Sequence, residues 1–268
     1  MADDETSLAF RREPSIGLAR WTIGIVANDA EELAACIARL REVGFGAEDT
    51  ALLVVQNFGR NHLDCYQAIA RFLDEAEGRH LIVLHQDVWP IDDAAALARA
   101  LADLDAHYPK WALAGNAGYR GVLRPVWRIT DPGDADARIG NPPQPVISLD
   151  ENLLVLRLGE GALAPVRPSP GLSGFHFYAT DLCLAAAEAG RSAHAIDWLV
   201  RHDSGGSRNA AWRVGIAMLE RQWAPRLGHR IVPTPTTLLL FGLFAALRPI
   251  RHKLYGLLWR IERRLWWR

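Results

Sequence analysis

The sequence predicts an α/β protein built on a mostly parallel sheet with helices on its faces. Three observations carry this. Strand-like and helix-like segments alternate across the first 118 residues. The strands are short unbroken apolar runs, the pattern of strands buried on both faces. Each run also ends in polar residues: Asn28-Asp29, Gln56-Asn57 and His85-Gln86-Asp87. Because such crossovers are nearly always right-handed, these ends are expected to open on one edge and line a single crevice.

Residues 1 to 19 are polar and mixed, and read as a loose arm before the domain of residues 20–235. Trp21 to Ala27 is the first strand. Ala30 to Val43 carries Leu33, Cys36, Ile37 and Leu40 at helical spacing and ends at Gly44. Ala51 to Val55 is a second strand, and His62 to Glu77 a helix with Cys65, Ile69 and Phe72 inward. Leu81 to Leu84 is the third strand, and Trp89-Pro90 is expected to stop it, since proline cannot donate to a ladder. Asp92 to His107 is a helix, and Trp111 to Ala114 a fourth strand.

Beyond Gly121 the pattern loosens. Asp131 to Pro145 and Pro165 to Gly174 read as Pro/Gly-rich loops, and Val146 to Leu156 as extended with a kink near Asp150. Thr180 to Ala189 is a helix, Ala195 to Val200 a short strand, and Asn209 to Arg221 a helix. No internal repeat is visible.

Composition narrows the function. Half of the 268 residues are apolar, enough for a large core, and a net charge of −1 gives no general affinity for nucleic acid. Cys36, Cys65 and Cys183 are too few and too scattered for a disulfide framework or a CxxC metal site, so buried thiols in a reducing compartment are expected. There is no basic-then-apolar leader, and the run Leu238 to Leu247 is about half the ~20 residues that span a bilayer. A cytoplasmic location follows. The GxGxxG fingerprint of dinucleotide folds is missing.

The candidate chemistry gathers at strand and helix ends. Asp87 and His202, about 115 positions apart, together suit a Mn2+- or Mg2+-like ion completed by phosphate and water, although each alone also reads as an ordinary turn or structural residue. Asp181 begins a helix, where the dipole favours a carboxylate; it is either a plain first-turn residue or a general base. Asp150 is a second acidic candidate. Ser204 to Ser207 has the backbone freedom of a closing lid, or of a linker.

Two segments resemble a known family. Leu84-His85-Gln86-Asp87-Val88 is similar to the HQDV variant of the DxD motif of inverting family 2 nucleotide-sugar glycosyltransferases of the GT-A fold. Gly174 to Leu184, Ile196-Asp197-Trp198 and His202-Asp203-Ser204-Gly205-Gly206 resemble that family's acceptor-side and metal-histidine region. The resemblance spans roughly residues 20 to 220. It implies a GT-A-like, Rossmann-like fold, a divalent metal held by Asp87 and His202, and Asp181 as the base. It implies donor contacts from Ala27, Asn28, Asn57, His85, Gln86 and Asp87, and acceptor-side groups Asp150, His176 and Tyr178. The donor would be a UDP-, GDP- or dTDP-sugar, and the acceptor a glycan or lipid-linked hydroxyl of the cell envelope. There are departures. His85 stands for the usual first Asp, Ala179 stands at the usual base position, and Gln56-Asn57 replace common acidic residues. A non-catalytic sugar-nucleotide or glycan binder keeping the fold is therefore the rival reading.

Residues 236–268 form a separate basic tail. Arg248, Arg251, Lys253, Arg260, Arg263, Arg264 and Arg268 interleave with Leu254, Leu257, Trp259, Ile261, Leu265 and Trp266, opposed only by Glu262. Such an amphipathic helix suits an anionic membrane surface or packing on protein, and both readings stand.

Overall fold

The computed structural model describes residues 9–130, 137–159, 164–203 and 208–266. The first half follows the expected alternation: β1 (Phe10–Glu13), β2 (Trp21–Ala27), α1 (Ala30–Glu42), β3 (Thr50–Gln56), α2 (Cys65–Glu75), β4 (His80–His85), β5 (Val88–Pro90), α3 (Ala94–His107), β6 (Trp111–Gly115) and β7 (Ala117–Tyr119). Short strands then dominate: β8 (Pro125–Thr130), β9 (Ala137–Ile139), β10 (Gln144–Val146), β11 (Ser148–Leu149) and β12 (Leu153–Arg157). The rest is α4 (Tyr178–Glu188), β13 (Ser192–Ala195), β14 (Val200–His202), α5 (Ala210–Leu227), β15 (Ile231–Pro233), β16 (Leu238–Leu240), a 3₁₀ helix (Gly242–Ile250) and α6 (Arg251–Trp266).

The first three helices start where short polar side chains satisfy their first N–H groups. Asp29 accepts from Glu31 and Glu32, Asp93 from Ala96, and Asp64 with Gln67 forms a reciprocal capping box on α2. Alternate residues of each central strand then face opposite helical layers. Leu52 and Val54 pack with α1 and α3, while Leu53 and Val55 pack with α2 and α4.

The sheet is mixed rather than mostly parallel, which corrects the sequence expectation. The eight strands run in the order β1-β3-β2-β4-β12-β6-β13-β10. The pairs β3/β2, β2/β4 and β6/β13 are parallel, and the other four are antiparallel. Two of the four come from β12, which arrives from a loop instead of a crossover helix and inserts antiparallel between β4 and β6, and the other two from the edge strands β1 and β10. The 146–156 stretch is correspondingly three strands, broken at Asp150, whose Oδ1 accepts the Asn152 N–H at 2.9 Å. Part of the expected arm is also ordered: β1 edges β3, and Ile16 and Gly17 bond the carbonyls of Ala47 and Glu48. Residues 1–8 lie outside the described residues, as do 131–136 of the first expected loop, whose remainder includes β9 and β10.

Four chain passages cross from this sheet into a second one, ordered β11-β7-β8-β14-β5 with β9 beside β8. They are β4 to β5, β6 to β7, β10 to β11, and β13 to β14. The expected strand at 195–200 is one of these crossings: it splits into β13 and β14 around Ile196 to Leu199.

His80 and His194 are buried in the main sheet, and the Nδ1 of each has no hydrogen-bond partner. His80 stacks on Trp111 with ring centroids 5.8 Å apart. Burial pushes both imidazoles down to about 4. An unfolded histidine takes up a proton near pH 6.5. Each ring therefore leaves stability intact above that pH and removes it as the pH falls toward 4. We expect the Cε1–H NMR signals of both rings to hold their neutral-form positions down to about pH 5. A midpoint near 6.5 for either would show that the ring is not sealed in the core.

The tail packs on the domain through one face. Buried Glu262 accepts the Tyr119 hydroxyl at 2.9 Å, Tyr255 donates to the Pro235 carbonyl, and Trp266 donates to Leu123. Arg248 and Arg251 pair with buried Glu220 of α5. The outward face keeps Lys253, Leu257, Arg260, Arg264 and Leu265 exposed. Among the described residues no helix is long and apolar enough to cross a membrane.

Candidate functional site

β4 ends at His85, and Gln86-Asp87 turn the chain into β5. Trp89-Pro90 does not end the extended chain, as the sequence suggested; both lie in β5, which pairs antiparallel with β14 and sets His202 opposite Val88. β5 is an edge strand, the place in a sheet that tolerates a residue with no N–H. The Asp203 N–H also bonds the Asp87 carbonyl at 3.1 Å. This two-strand ribbon closes the sequence gap between Asp87 and His202.

The ribbon brings three side chains together. Asp87 Oδ1 lies 3.6 Å from His202 Nε2 and 4.0 Å from His85 Nδ1. All three candidate ligand atoms fall within 4.8 Å of one another, and the two imidazoles meet edge to face at 5.8 Å. Two imidazole nitrogens and one carboxylate oxygen suit a first-row divalent transition ion better than Mg2+, which prefers all-oxygen sites. His85, expected from the sequence only as a donor contact, is thus the third member. The signal was present in its position, since His85 stands at the first place of the motif whose last residue is Asp87.

A hydrogen-bond chain fixes which nitrogen of His85 faces the group. Tyr178 donates its one hydroxyl proton to the Glu151 carbonyl at 2.8 Å. Its oxygen lies 2.8 Å from His85 Nε2, so Nε2 carries the hydrogen there and the Nδ1 lone pair points toward Asp87. Burial holds the imidazole below its ordinary value against the attraction of Asp87, which favours the neutral, ligand-competent form. Tyr178 is fully buried and acts behind the site rather than on an acceptor. Tyr178→Phe is expected to weaken Mn2+ binding about 10- to 100-fold, measured by calorimetry, without unfolding the protein. Unaltered affinity would show that the tautomer is set elsewhere.

Beside the triad lies a cavity of about 300 Å3 lined by His85, His202, Asp150, Glu151, His176 and Thr180, with an aromatic wall including Trp127, Phe175, Phe177 and Trp212. Phe177 has a left-handed backbone (φ 67°), unusual for a bulky residue, and it turns the chain into α4. Glu151 meets the first N–H groups of that helix; burial and then the charge of Asp150 push its carboxyl well above the usual range, while those N–H groups oppose the shift. Burial also lowers His176.

Several expected site residues instead brace the fold. Asp181 is completely buried, accepting from the Ser169 N–H at 2.7 Å and from Trp223 Nε1 at 2.8 Å. Burial pushes its carboxyl up, opposed by those two bonds. The base assignment for Asp181 is therefore corrected: the carboxylate joins the 169 loop and α5 to α4. Asp181→Ala is expected to orphan both donors and cost about 2–4 kcal/mol in urea unfolding. A loss of turnover without that destabilisation would restore it to the site. Gln86 spends its amide on Asn28 N, Asp29 N, Asn28 Oδ1 and Glu32 Oε2, which locks the β4 end to the β2 end. Asn57 is consumed likewise by His62 N, Leu63 N and the Leu63 carbonyl, and the Ala27 carbonyl accepts from Asn57 N. Of the proposed donor contacts, these bonds leave His85, Asp87 and exposed Asn28 best placed for a ligand. Asp150 and His176 do line the cavity. Glu151, Arg208 and Trp212 were not anticipated. The expected lid, Ser204 to Ser207, lies outside the described residues.

No protein-family model matches the chain. A curated relative from Fuscovulum blasticum, described as "ATP synthase subunits region ORF 6", is 35% identical over 169 residues, covering 59% of this chain; the chain spans 65% of that relative's length. Among solved structures, the chain is similar to the mannosyltransferase PcManGT from Pyrobaculum calidifontis in complex with GDP-Man and Mn2+, at 12% identity over 95% of this chain and 74% of that one, with a TM-score of 0.47. It is also similar to A197 from STIV, at 15% identity over 68% of this chain and 85% of that one, with a TM-score of 0.40. With both TM-scores under one half, neither structural likeness assigns a reaction.

Proposed function

We propose that this chain is an inverting glycosyltransferase, moving a sugar from a nucleotide-sugar donor to the hydroxyl of a glycan or lipid-linked acceptor. The observation that carries the reading is the convergence of His85, Asp87 and His202 at the end of β4, on the very segment that resembles the family's DxD variant. These three residues would hold a divalent ion, which supplies positive charge for the leaving diphosphate. Asp150 takes the role first considered for Asp181. Its Oδ1 is held by the Asn152 N–H, which fixes the carboxylate, and Oδ2 would accept the acceptor's hydroxyl proton. The acceptor oxygen then bonds to the anomeric carbon from the face opposite the diphosphate. The carbon–oxygen bond to the diphosphate breaks, and its electron pair leaves with the nucleotide.

The outward cations and leucines of α6 suit an anionic leaflet, so a peripheral position on the cytoplasmic membrane face is part of the proposal. The rival, a binder without catalysis, draws on fully buried Ala179 at the family's usual base position. Calorimetry with UDP-, GDP- and dTDP-sugars, with and without Mn2+, tests the reading. One nucleotide class is expected to bind in the presence of Mn2+, with nucleoside diphosphate released once an acceptor is added. Binding without release across acceptors would favour the rival, and no nucleotide-sugar binding at all would sink the enzyme and leave only a glycan-binding form of the rival.

A further inference from the structure

A second cavity, of about 320 Å3, continues from the first and shares Arg208, Trp212 and Thr236 with it. Its outer wall is the tail helix α6, through His252, Tyr255 and Trp259. We propose that this cavity is a binding subsite for a sugar ring of an oligosaccharide acceptor, one residue back from the ring whose hydroxyl reacts. The inference rests on the glycosyltransferase reading for its direction, and on the cavity itself for its ligand class.

The lining decides the class. It is built from three aromatic rings together with Arg208, His252, Thr236 and Thr237, and among the described residues it includes no Leu, Ile or Val. An acyl or isoprenoid chain is held by apolar contact and has no use for the polar groups Arg208, His252, Thr236 and Thr237. A pyranose presents an apolar C–H face and a rim of hydroxyls, which call for flat rings beside fixed donors and acceptors. Two of these rings are already fixed. Trp212 Nε1 donates to Thr236 Oγ1 at 3.1 Å, Tyr255 donates to the Pro235 carbonyl, and the Arg208 guanidinium sits 5.4 Å from the Tyr255 ring. Groups held this way lose little freedom on binding. Volumes near 300 Å3 lie at the small end for ligand pockets, the scale of one sugar ring in each cavity. The tail would then be part of the acceptor site and not only a surface attachment.

Gly256 offers a direct test. It lines the second cavity from α6, and a Cβ built on it meets nothing within 4 Å. Gly256→Leu therefore extends into open space and replaces a weak helix former, so the fold should be retained. The probes are glucose, galactose and mannose, their disaccharides and trisaccharides, and farnesyl phosphate, added to the full-length protein and followed by tryptophan fluorescence. At least one disaccharide is expected to bind on the order of ten-fold more tightly than its monosaccharide, a preference lost in Gly256→Leu and in Trp259→Ala. Nucleotide-sugar binding with Mn2+ is expected to be unchanged in both variants.

The outcomes separate the two readings. Disaccharides that bind no better than monosaccharides, or a preference that survives both variants, would overturn the subsite while donor binding left the enzyme reading standing. Farnesyl phosphate bound in place of every saccharide would overturn it too. A saccharide preference that both variants abolish, in a protein that binds no nucleotide sugar, would keep the subsite and remove the glycosyltransferase.

Discussion

Asp87→Asn is expected to lower Mn2+ affinity by about 100-fold or more and turnover by about 1000-fold. Asp87 is the sole carboxylate of the triad, and the substitution leaves two imidazoles facing an amide. Its Oδ1 lies 3.6 Å from His202 Nε2 and 4.0 Å from His85 Nδ1, and it is the anionic oxygen the triad offers an ion. The fold should persist, because the bond to Asp203 uses the Asp87 carbonyl, which asparagine keeps. Calorimetric titration of Mn2+ and release of nucleoside diphosphate are the two measurements. Wild-type Mn2+ affinity in this variant would remove the triad from the proposal altogether.

Asp150→Asn is expected to behave differently. Turnover should fall by about 10²- to 10⁴-fold, the usual worth of a positioned general base, while Mn2+ and donor affinities stay near wild type. Asparagine preserves the acceptor for the Asn152 N–H, so the break between β11 and β12 should hold its shape. The contrast with Asp181→Ala is informative, since that change should cost stability and spare the chemistry. Full turnover by Asp150→Asn would assign proton removal to another group. Glu151 would be the next to test, although burial pushes its carboxyl well above the usual range.

The α/β alternation was legible because β2, β3 and β4 are unbroken apolar runs and because the segments between them carry apolar residues at helical spacing, such as Leu33, Cys36, Ile37 and Leu40. The direction of β12 was not legible. Leu153 to Leu156 reads as a buried strand in either orientation, and only the loop that delivers it sets it antiparallel in the middle of the sheet. Asp87 and His202 were found as candidates, yet what joins them is the pairing of two three-residue strands, too short to leave a periodic signal. Asp181 misled for a physical reason: a first-turn carboxylate looks the same in sequence whether it faces a cavity or is sealed beneath Trp223. Gln86 and Asn57 likewise sit at strand ends, where polar residues serve ligands or brace neighbouring loops, and their amides are spent on the second task.

The β5–β14 ribbon has one more consequence. His85 and Asp87 come from one arm of the connection and His202 from the other, so an ion gripping all three would also tie a sheet edge shut. Linkage makes this reciprocal: whatever the ion adds to the cohesion of that edge, the cohesion of that edge adds to the hold on the ion. Substitutions at Trp89 or Arg201, which face each other across the ribbon and stack as cation on ring at 5.6 Å, would therefore tune metal affinity from outside the coordination sphere.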